Sequence, residues 1–596
     1  MTDTVQNSRS VSLARLCQSL GINRQAIGIQ PNIRQAKQWE QLDNLVIVLT
    51  ALLGLVIFLL LYQLRALDDN RLTSWQWVFY EASILKVFLI LTIGTVVAYV
   101  FSIISIPERK PALFLFISSF IAAMFLWNEP EVIIDTSRYF VQAKYLELYG
   151  IGYFLSEWGK EVMAWTDLPL VPLLYGLVFD LFGENRLGIQ VFNTLLFSGT
   201  VVLTYLIGSM LWDRTVGFYG GLLLLGMPYL LTQVPLMLVD VPTMFFLTLA
   251  VYTTIKALRQ GGTTLLVMAA IAIALAALSK YSAWLMLSII PVIAACHLSR
   301  EWRPVVKQAT LIMLGGGLLV GIFIVLKLDV VIEQIRLLLS YQLPALGRWG
   351  ESFTSSFLFQ IHPFIAVAAL VAVYLAVKKR DTRFAIVFWL LLLVVLLGIK
   401  RLRYIIPILP MVALMAAYGI RQVANARVGK FIVSSAAVFG VVIAVFVYMP
   451  FFMKTSLVNI KVAGAYLNSM RAPKIAVVTL PTYRSSVNPV VSVPILDLFT
   501  RKTIVYQENG VRTPRPGWVD RSPLRFTWEF GRPRFFNGNA GLSKASLPVV
   551  IIFSDPEQII PDHIAKRIAG YRLVNESALS DKVFRYQTIV RVYEPV

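Results

Sequence analysis

The sequence predicts a polytopic α-helical membrane protein with a small α/β domain outside the membrane. Three observations lead to this fold class. The 596 residues are 57% apolar and only 15% charged, and their mean hydropathy is +0.70, which is far from the composition of soluble domains. Long apolar runs recur through residues 44–449, and short strand-like runs follow after residue 450.

The apolar runs are long enough to cross a membrane many times. A hydrocarbon core of about 30 Å requires about 20 apolar residues per helix. The first run follows more than forty polar residues and lacks a small-residue cleavage site, which is typical of a signal anchor rather than a removed signal peptide. We predict about thirteen transmembrane helices, at about 44–62, 84–106, 111–127, 187–211, 216–233, 241–257, 264–279, 282–297, 308–327, 361–377, 384–399, 404–420 and 431–449.

The distribution of the net charge of +21 indicates the orientation of the chain. Segments on the side of the N-terminus carry 20 Lys or Arg against 7 Asp or Glu, whereas the opposite loops carry 13 against 16. This asymmetry is the positive-inside pattern. It predicts a multi-pass plasma-membrane protein with a cytoplasmic N-terminus, and it favours contact with membrane lipids over binding of nucleic acid.

Four regions follow from this topology. Residues 1–43 form a basic cytoplasmic tail and 44–106 an additional N-terminal transmembrane hairpin. Residues 107–449 form the main transmembrane domain, with a long external loop at 128–186. Residues 450–596 form an extracytoplasmic domain, in which runs such as KIAVVTL and LPVVIIF predict strands and DPEQIIPDHIAKRIAG predicts a helix.

The external loop contains two stretches with helical periodicity. These are SRYFVQAKYLELYG and WTDLPLVPLLYGLVFDLFG. Their apolar residues recur at helical spacing, so we predict two interfacial or re-entrant helices. Long loops that carry their own structure are usually functional.

Acidic residues lie where predicted spans leave the membrane. In NEPEVIIDTSRYF, we expect Glu129 and Glu131 to be a solvated rim, while Asp135 and Arg138 are one helical turn apart and share a face. Asp240 lies in an apolar turn between two spans, where a charge is costly. Two interpretations of Asp240 stay open, a functional carboxylate and a cap of the following helix.

Cations also lie on the predicted outer side, against the positive-inside pattern. Lys400, Arg401 and Arg403 fall within four residues, and Lys280 occupies a tight outer turn. The alternative is a count that is wrong by one span, but KKRDTR, one helix earlier, cannot face inward together with this cluster. We therefore predict an anionic ligand, since the arginine fork suits phosphate oxygens.

This combination of acids and cations fits an enzyme that acts on a lipid phosphate. The cations would stabilise a phosphate leaving group, and a carboxylate would take the proton from an incoming hydroxyl. A divalent metal ion is an open possibility, although no histidine joins the acids. The residues concerned are Asp135, Asp167, Asp240, Lys280, Arg401 and Arg403, and the histidines are His297, His362 and His563.

The order of these motifs resembles the GT-C superfamily of polytopic glycosyltransferases, in the branch of protein O-mannosyltransferases and the lipid A aminoarabinose transferase. The resemblance covers about residues 111–420, so 107–449 would be a GT-C-like catalytic domain. It implies a polyprenyl-phosphate-linked sugar donor, transfer with inversion, and a hydroxyl acceptor on protein, lipid or envelope glycan. The motifs are DTSRYF, WTDLPLVPLLYGLVFDLFG, GLLLLGMPYLL, VDVPTMFFLTLAVY, LSKYSAW and RYIIPILPMVALMAAYG.

Individual roles follow from the resemblance. Asp135 matches the acid near the acceptor hydroxyl, with Arg138 and Tyr139 as the Arg-Tyr that follows it. Asp240 matches the second acid, and Arg403 followed by Tyr404 matches a phosphate contact.

Two features depart from the family pattern. The aminoarabinose transferases have Glu-Lys-Pro-Pro-Leu where this chain has TDLPL at 166–170. No phosphate-binding lysine is therefore carried over to this segment, and Asp167 would instead orient a sugar hydroxyl. The additional hairpin at 44–106 also departs from the usual arrangement.

Two other classes of function compete with an enzyme. A transporter or flippase of an anionic lipid or glycolipid would place ionisable residues near the membrane midplane, but apart from Lys86 the predicted spans are nearly free of charge. A scaffold with an external interaction module would retain activity when Arg403 is neutralised. The rim position of the charges favours the enzyme.

Overall fold

The structure is a computed structural model, and it describes residues 33–104, 110–298, 302–346, 351–480, 487–507, 517, 519, 524–536, 547–555, 557–581, 583 and 587–596. Most of the predicted tail at 1–43 therefore lies outside the described residues. The chain begins with a hairpin of long helices, continues into a large helical domain and ends in a mixed sheet.

The helical part contains twenty-two α-helices among the described residues before Thr455. They are α1 (Ile33–Gln63), α2 (Trp75–Val78), α3 (Ile84–Ile103), α4 (Pro111–Met124), α5 (Thr136–Glu157), α6 (Leu170–Phe182), α7 (Arg186–Leu211), α8 (Arg214–Leu223), α9 (Pro228–Gln233), α10 (Asp240–Gln260), α11 (Thr263–Ser279), α12 (Tyr281–Met286), α13 (Ile289–His297), α14 (Trp302–Leu326), α15 (Leu328–Leu337), α16 (Leu343–Leu346), α17 (Pro363–Lys379), α18 (Phe384–Leu396), α19 (Leu402–Ile405), α20 (Leu409–Val423), α21 (Ala426–Ile443) and α22 (Met449–Phe452).

Seven helical stretches in the described part of the chain are long and apolar enough to cross a membrane. Several other predicted spans appear as shorter or divided helices. The span predicted at 216–233, for example, is divided into α8, a 3₁₀ turn and α9, because Pro228 interrupts the helical hydrogen bonds. The polytopic helical fold is confirmed, whereas the number of thirteen crossings stays a prediction. The seven stretches are Gln41–Gln63, Ile84–Ile103, Arg186–Leu211, Asp240–Gln260, Trp302–Leu326, Leu402–Val423 and Ala426–Phe452.

Helices α10 and α20 are enclosed by the rest of the helical domain. Residues 409–420 of α20 are all buried, as are most residues of α10. Apolar side chains such as Leu247 and Leu414 share one continuous core that includes residues of α7, α8 and α17. Helix α10 packs against the 3₁₀ turn Ile406–Ile408 that directly precedes α20, so residues of α10 and the residues before α20 come close together.

The segment 128–186 contains α5 and α6, as the periodicity predicts. Helix α5 changes direction at Gly150, whose φ of 80° suits glycine. Gly176 of α6 lies against Leu146 of α5, where an added Cβ would come within 2.7 Å of the leucine Cβ. Residues 136–146 of α5 are mostly buried between α6 and the C-terminal region, so this half of the helix does not face solvent.

The C-terminal region contains a five-stranded sheet with strand order β2-β1-β3-β5-β4. Strand β1 is parallel to β2 and β3, while β5 is antiparallel to β3 and β4. Strand β3 is buried along its whole length because helices and loops cover both faces. The elements are α23 (Val458–Ser469), β1 (Lys474–Thr479), α24 (Ser492–Phe499), β2 (Thr503–Gln507), α25 (Arg525–Trp528), β3 (Val549–Phe553), α26 (Asp562–Arg567), β4 (Tyr571–Ser577) and β5 (Ile589–Pro595).

The expectation that Glu129 and Glu131 form a solvated rim is wrong. Their side chains are buried, with relative exposures of 0% and 2%. Glu131 pairs with Arg186, whose Nε lies 2.8 Å from Oε1. Burial raises the pKa of Glu129 well above its ordinary value, against the opposing charge of Arg186. The C-terminal region covers the segment that contains both glutamates. Lys461 of α23 donates to the backbone carbonyl oxygen and to Oδ1 of Asn128.

Candidate active site

Arg403 joins the two acids that the sequence singled out. Its Nη1 lies 2.6 Å from Oδ2 of Asp135, and its Nε lies 2.8 Å from Oδ2 of Asp240. Asp135 precedes α5 and Asp240 is the first residue of α10, yet neither carboxylate caps its helix. The capping interpretation of Asp240 is therefore wrong, because its carboxylate binds cations from other elements.

Lys280 completes the charge balance around Asp240. It lies in extended conformation between α11 and α12, and its Nζ is 2.6 Å from Oδ1 of Asp240. The Asp240 side chain has no exposure, so both of its oxygens face cations in a desolvated setting. The Tyr404 ring lies beside the same group, with its centroid 5.3 Å from Nζ of Lys280.

A second cluster of polar side chains adjoins Asp135. Arg138 lies 3.7 Å from Asp135 and 3.2 Å from Asp167, so it connects the two carboxylates. Tyr139 and Gln142 donate to the Asp167 carboxylate at 3.4 Å each. All three donors come from the first two turns of α5, which explains how one helix holds Asp167 in place.

The surroundings shift the pKa values of Asp135 and Asp167 in opposite directions. Burial raises the pKa of Asp135, but the guanidinium groups of Arg138 and Arg403 outweigh it and hold that pKa below its ordinary value. For Asp167, burial outweighs the effect of Arg138, and the pKa lies above its ordinary value. Asp135 is thus the more acidic of these two carboxylates.

A cavity of about 140 Å³ opens beside Asp135. Arg138, Arg401, Arg403 and Tyr404 line it, and Arg401 lies over the Tyr404 ring at 5.3 Å. Lys400 does not line this cavity, and it is exposed. Its backbone carbonyl oxygen accepts a hydrogen bond from the Ser356 hydroxyl at 2.7 Å.

The arrangement does not suit a metal ion. Among the described residues, no group of three or more His, Cys, Asp or Glu side chains has the arrangement that a metal site requires. Both oxygens of Asp240 and one oxygen of Asp135 already accept from Lys280 and Arg403. The histidines in this part of the chain lie elsewhere, since His362 caps α17 and His297 contacts Ile293.

The structure also brings residues to the site that the sequence did not reveal. Gln142 binds Asp167, and Gln342 lines the cavity and donates to Thr166 at 2.7 Å. Phe526 and Phe530 close the cavity from the C-terminal region. Gln142 lies one helical turn after Arg138, so its spacing is the one signal that pointed to it. Nothing in the local sequence signals the others.

Comparisons with known proteins show what part of the sequence and the fold are similar to. Residues 167–327 match the family described as dolichyl-phosphate-mannose-protein mannosyltransferase. No curated protein matches the chain. Among solved structures, the chain is similar to ArnT from Cupriavidus metallidurans in the apo state, with 10% identity, a TM-score of 0.50 and coverage of 80% of this chain and 97% of that one.

Two further solved structures are similar. ArnT of the same organism bound to undecaprenyl phosphate has 10% identity, a TM-score of 0.51 and coverage of 81% of this chain and 98% of that one. AglB, an oligosaccharyltransferase from Archaeoglobus fulgidus, has 12% identity, a TM-score of 0.43 and coverage of 68% and 65%. The family match and the ArnT fold confirm the resemblance seen in the sequence. Residues 167–327 thus match the mannosyltransferase family, and the chain has a fold similar to that of ArnT.

Proposed function

We propose that the protein transfers a sugar from a polyprenyl-phosphate donor to a hydroxyl acceptor, with inversion, on the extracytoplasmic face of the plasma membrane. The observation that carries this proposal is the bridge that Arg403 forms between Asp135 and Asp240. It places a carboxylate suited to a hydroxyl beside a cation suited to a phosphate. The positive-inside pattern of the loops supports the extracytoplasmic side.

The cations around the cavity suit the phosphate of the donor. Arg401 and Arg403 line the cavity, and Lys280 lies behind them on Asp240. The name of the matching family includes a dolichyl-phosphate sugar, dolichyl-phosphate-mannose. One of the similar ArnT structures contains bound undecaprenyl phosphate. Both descriptions name a polyprenyl chain that ends in phosphate, which supports this class of donor.

The reaction then follows from the position of the charges. The acceptor oxygen attacks the anomeric carbon on the face opposite the phosphate, and the bond from that carbon to the phosphate oxygen breaks. The electron pair leaves with the polyprenyl phosphate, where Arg403 and Arg401 stabilise the added negative charge. The acceptor proton passes to the carboxylate of Asp135.

Donor binding would also strengthen the base. Arg138 and Arg403 hold the pKa of Asp135 below its ordinary value, which makes the carboxylate a weak base. A phosphate in the cavity attracts the same Arg403 guanidinium and weakens its pairing with Asp135. The pKa of Asp135 then rises, so the base gains strength only when the donor is in place.

The direct test is transfer of labelled sugar by the purified protein. Detergent-purified enzyme receives a labelled polyprenyl-phosphate sugar together with membrane extract as the source of protein, lipid and glycan acceptors. We expect a labelled product, and we expect Asp135→Asn to form it about 100-fold more slowly or worse. Asp180→Asn, an exposed acid on α6, is the matched control and should retain the wild-type rate. A wild-type rate in Asp135→Asn would remove this residue from the mechanism.

A further inference from the structure

The cavity beside Asp135 has two sides of unlike chemistry. The side formed by the helical domain is charged and includes Asp135, Arg138, Arg401 and Arg403. The opposite side comes from the C-terminal region and is mostly apolar: Val491, Leu524, Phe526, Thr527 and Phe530. We call these five residues the roof. The cavity of about 140 Å³ is well below the roughly 300–1,000 Å³ of pockets for drug-sized ligands.

Aromatic contacts hold the roof over the charged side. The Phe530 ring stacks on Trp165, with centroids 5.9 Å apart and planes inclined by 12°. The Arg138 guanidinium carbon lies 5.6 Å from the Phe526 centroid and 5.8 Å from the Trp165 centroid. One arginine therefore contacts Asp135 on one side and the aromatic rings on the other.

Trp165 has a strained backbone. Its φ of 43° lies in the left-handed region, which a residue with a bulky side chain rarely adopts. Such strain persists only where the surrounding structure maintains it, and it is concentrated at functional sites. Here it accompanies a tryptophan that stacks on Phe530 and lies two residues before Asp167 in sequence.

A separate ion pair fixes the C-terminal region to the helix that carries Arg138. Lys144 of α5 lies 2.5 Å from Asp497 of α24 and 2.8 Å from Glu184. The Arg534 backbone N–H donates to the Tyr145 hydroxyl at 3.4 Å. The roof is thus attached to α5 at points outside the cavity, which gives it a defined position above Asp135.

We propose that the roof is the binding site for the monosaccharide ring of the donor, and that the C-terminal region thereby selects which sugar is transferred. A sugar ring has C–H faces that suit aromatic side chains and hydroxyls that suit charged ones. A cavity of this size accommodates one ring, not a long oligosaccharide. This inference rests on the proposed function and assigns the sugar within it.

The test compares a bare lipid with sugar-bearing lipids. Full-length protein is titrated with undecaprenyl phosphate and with undecaprenyl phosphate carrying mannose, glucose or aminoarabinose, and binding is measured by native mass spectrometry. We expect Phe530→Ala to weaken binding of the preferred sugar-bearing lipid about tenfold, with affinity for undecaprenyl phosphate unchanged. Phe530→Tyr retains the ring and should restore the preference.

Phe535→Ala is the matched control. Phe535 packs on Tyr145 at the same interface, with centroids 5.2 Å apart, but it does not line the cavity. We expect this variant to bind every lipid as the wild type does. Thermal unfolding of each variant shows whether the fold is retained, and Phe526→Ala provides a second roof variant if Phe530→Ala fails to fold.

Three outcomes would contradict these ideas in different ways. If both roof variants bind all lipids as the wild type does, the roof does not hold the sugar. If they bind donors normally but need more acceptor for half-maximal transfer, the roof binds the acceptor instead. If the wild-type protein binds neither undecaprenyl phosphate nor any sugar-bearing form, the proposed function itself fails.

Discussion

Arg403 and Asp240 form a buried ion pair across 163 positions of sequence, with Nε 2.8 Å from Oδ2. The same guanidinium reaches Asp135 through Nη1. Two carboxylates, one directly before α5 and one at the start of α10, therefore share one side chain of α19. This geometry requires a fork with two donors at fixed separation, which arginine provides and lysine does not.

Arg403→Lys should therefore abolish most activity although it retains the charge. A lysine contacts one carboxylate at a time, so either Asp135 or Asp240 loses its contact with residue 403. We expect sugar transfer to fall about 100-fold or more, in keeping with loss of a group that stabilises a leaving phosphate. Transfer of labelled sugar measures the effect. Arg336→Lys on α15, whose side chain is exposed, should leave the rate unchanged.

Removing the charge of Asp240 should lower the stability of the fold more than removing the charge of its partner Lys280. Asp240→Asn leaves Lys280 and Arg403 close together without the buried charge that balances them. Lys280→Met leaves Asp240 still paired with Arg403. We expect the first change to cost about 3–5 kcal/mol, as for a broken buried ion pair, and the second to cost less. Thermal unfolding in detergent measures both.

The ranking of these two variants is what matters. If Lys280→Met lowers the Tm as much as Asp240→Asn does, Arg403 alone does not compensate Asp240. In that case the three side chains act as one unit, and the double variant should cost less than the sum of the single changes.

The sequence predicted that these charged residues lie on the same side of the membrane. It did not predict which of them form ion pairs. Arg401 and Arg403 stood out because they oppose the positive-inside pattern, and Asp240 because it lies in an apolar turn. Such patterns indicate on which side of the membrane a residue lies and whether its surroundings are apolar. They carry no distances, so they did not reveal that Arg403 binds both Asp135 and Asp240.

Contacts between distant parts of the chain were equally hidden from the sequence. Glu129 looked exposed because it follows an apolar run, yet the C-terminal region covers it. No pattern in the sequence singled out Phe526 or Phe530. Their position above Asp135 depends on how two parts of the chain pack together, and no local periodicity encodes that packing.

Replacing Arg401 should weaken donor binding, whereas replacing Lys400 should not. Arg401 lines the cavity and lies over Tyr404, whereas Lys400 is exposed and outside it. We expect Arg401→Ala to raise the KM for the donor about tenfold, as for loss of one charge-assisted contact to phosphate. Lys400→Ala should keep the KM of the wild type. Equal effects of the two changes would mean that general positive charge, rather than contact, attracts the donor.

The additional N-terminal hairpin should be needed for stability and for activity. Asp68, in the loop after α1, accepts from the Trp75 backbone at 2.7 Å and from Gln360 Nε2 at 2.9 Å, and also from the Ser355 hydroxyl. Ser356 in turn donates to the Lys400 carbonyl, directly before the cavity arginines. The hairpin thus supports the segment that carries them.

Asp68→Ala removes the acceptor for these buried donors. Each unsatisfied group costs about 1–3 kcal/mol, so we expect a lower Tm, and slower sugar transfer at temperatures where the variant stays folded. Glu81→Gln, at an exposed residue of the same loop, is the matched control. Wild-type transfer in a destabilised Asp68→Ala variant would show that the hairpin supports the fold without positioning the site.

Stability should decrease as the pH rises from about 4.5 to about 8, because of Glu184. Burial and the neighbouring Asp497 carboxylate raise the pKa of Glu184 from 4.5 to about 8, although Lys144 opposes them. An acid with a raised pKa in the folded state stabilises that state below its ordinary pKa, and this contribution is lost as the pH rises through about 8. We expect the Tm to fall between pH 6 and pH 9. Glu184→Gln cannot titrate and should show a smaller fall, whereas Glu557→Gln, an exposed acid of the C-terminal region, should behave as the wild type. An equal fall in Glu184→Gln would assign the pH dependence to other groups.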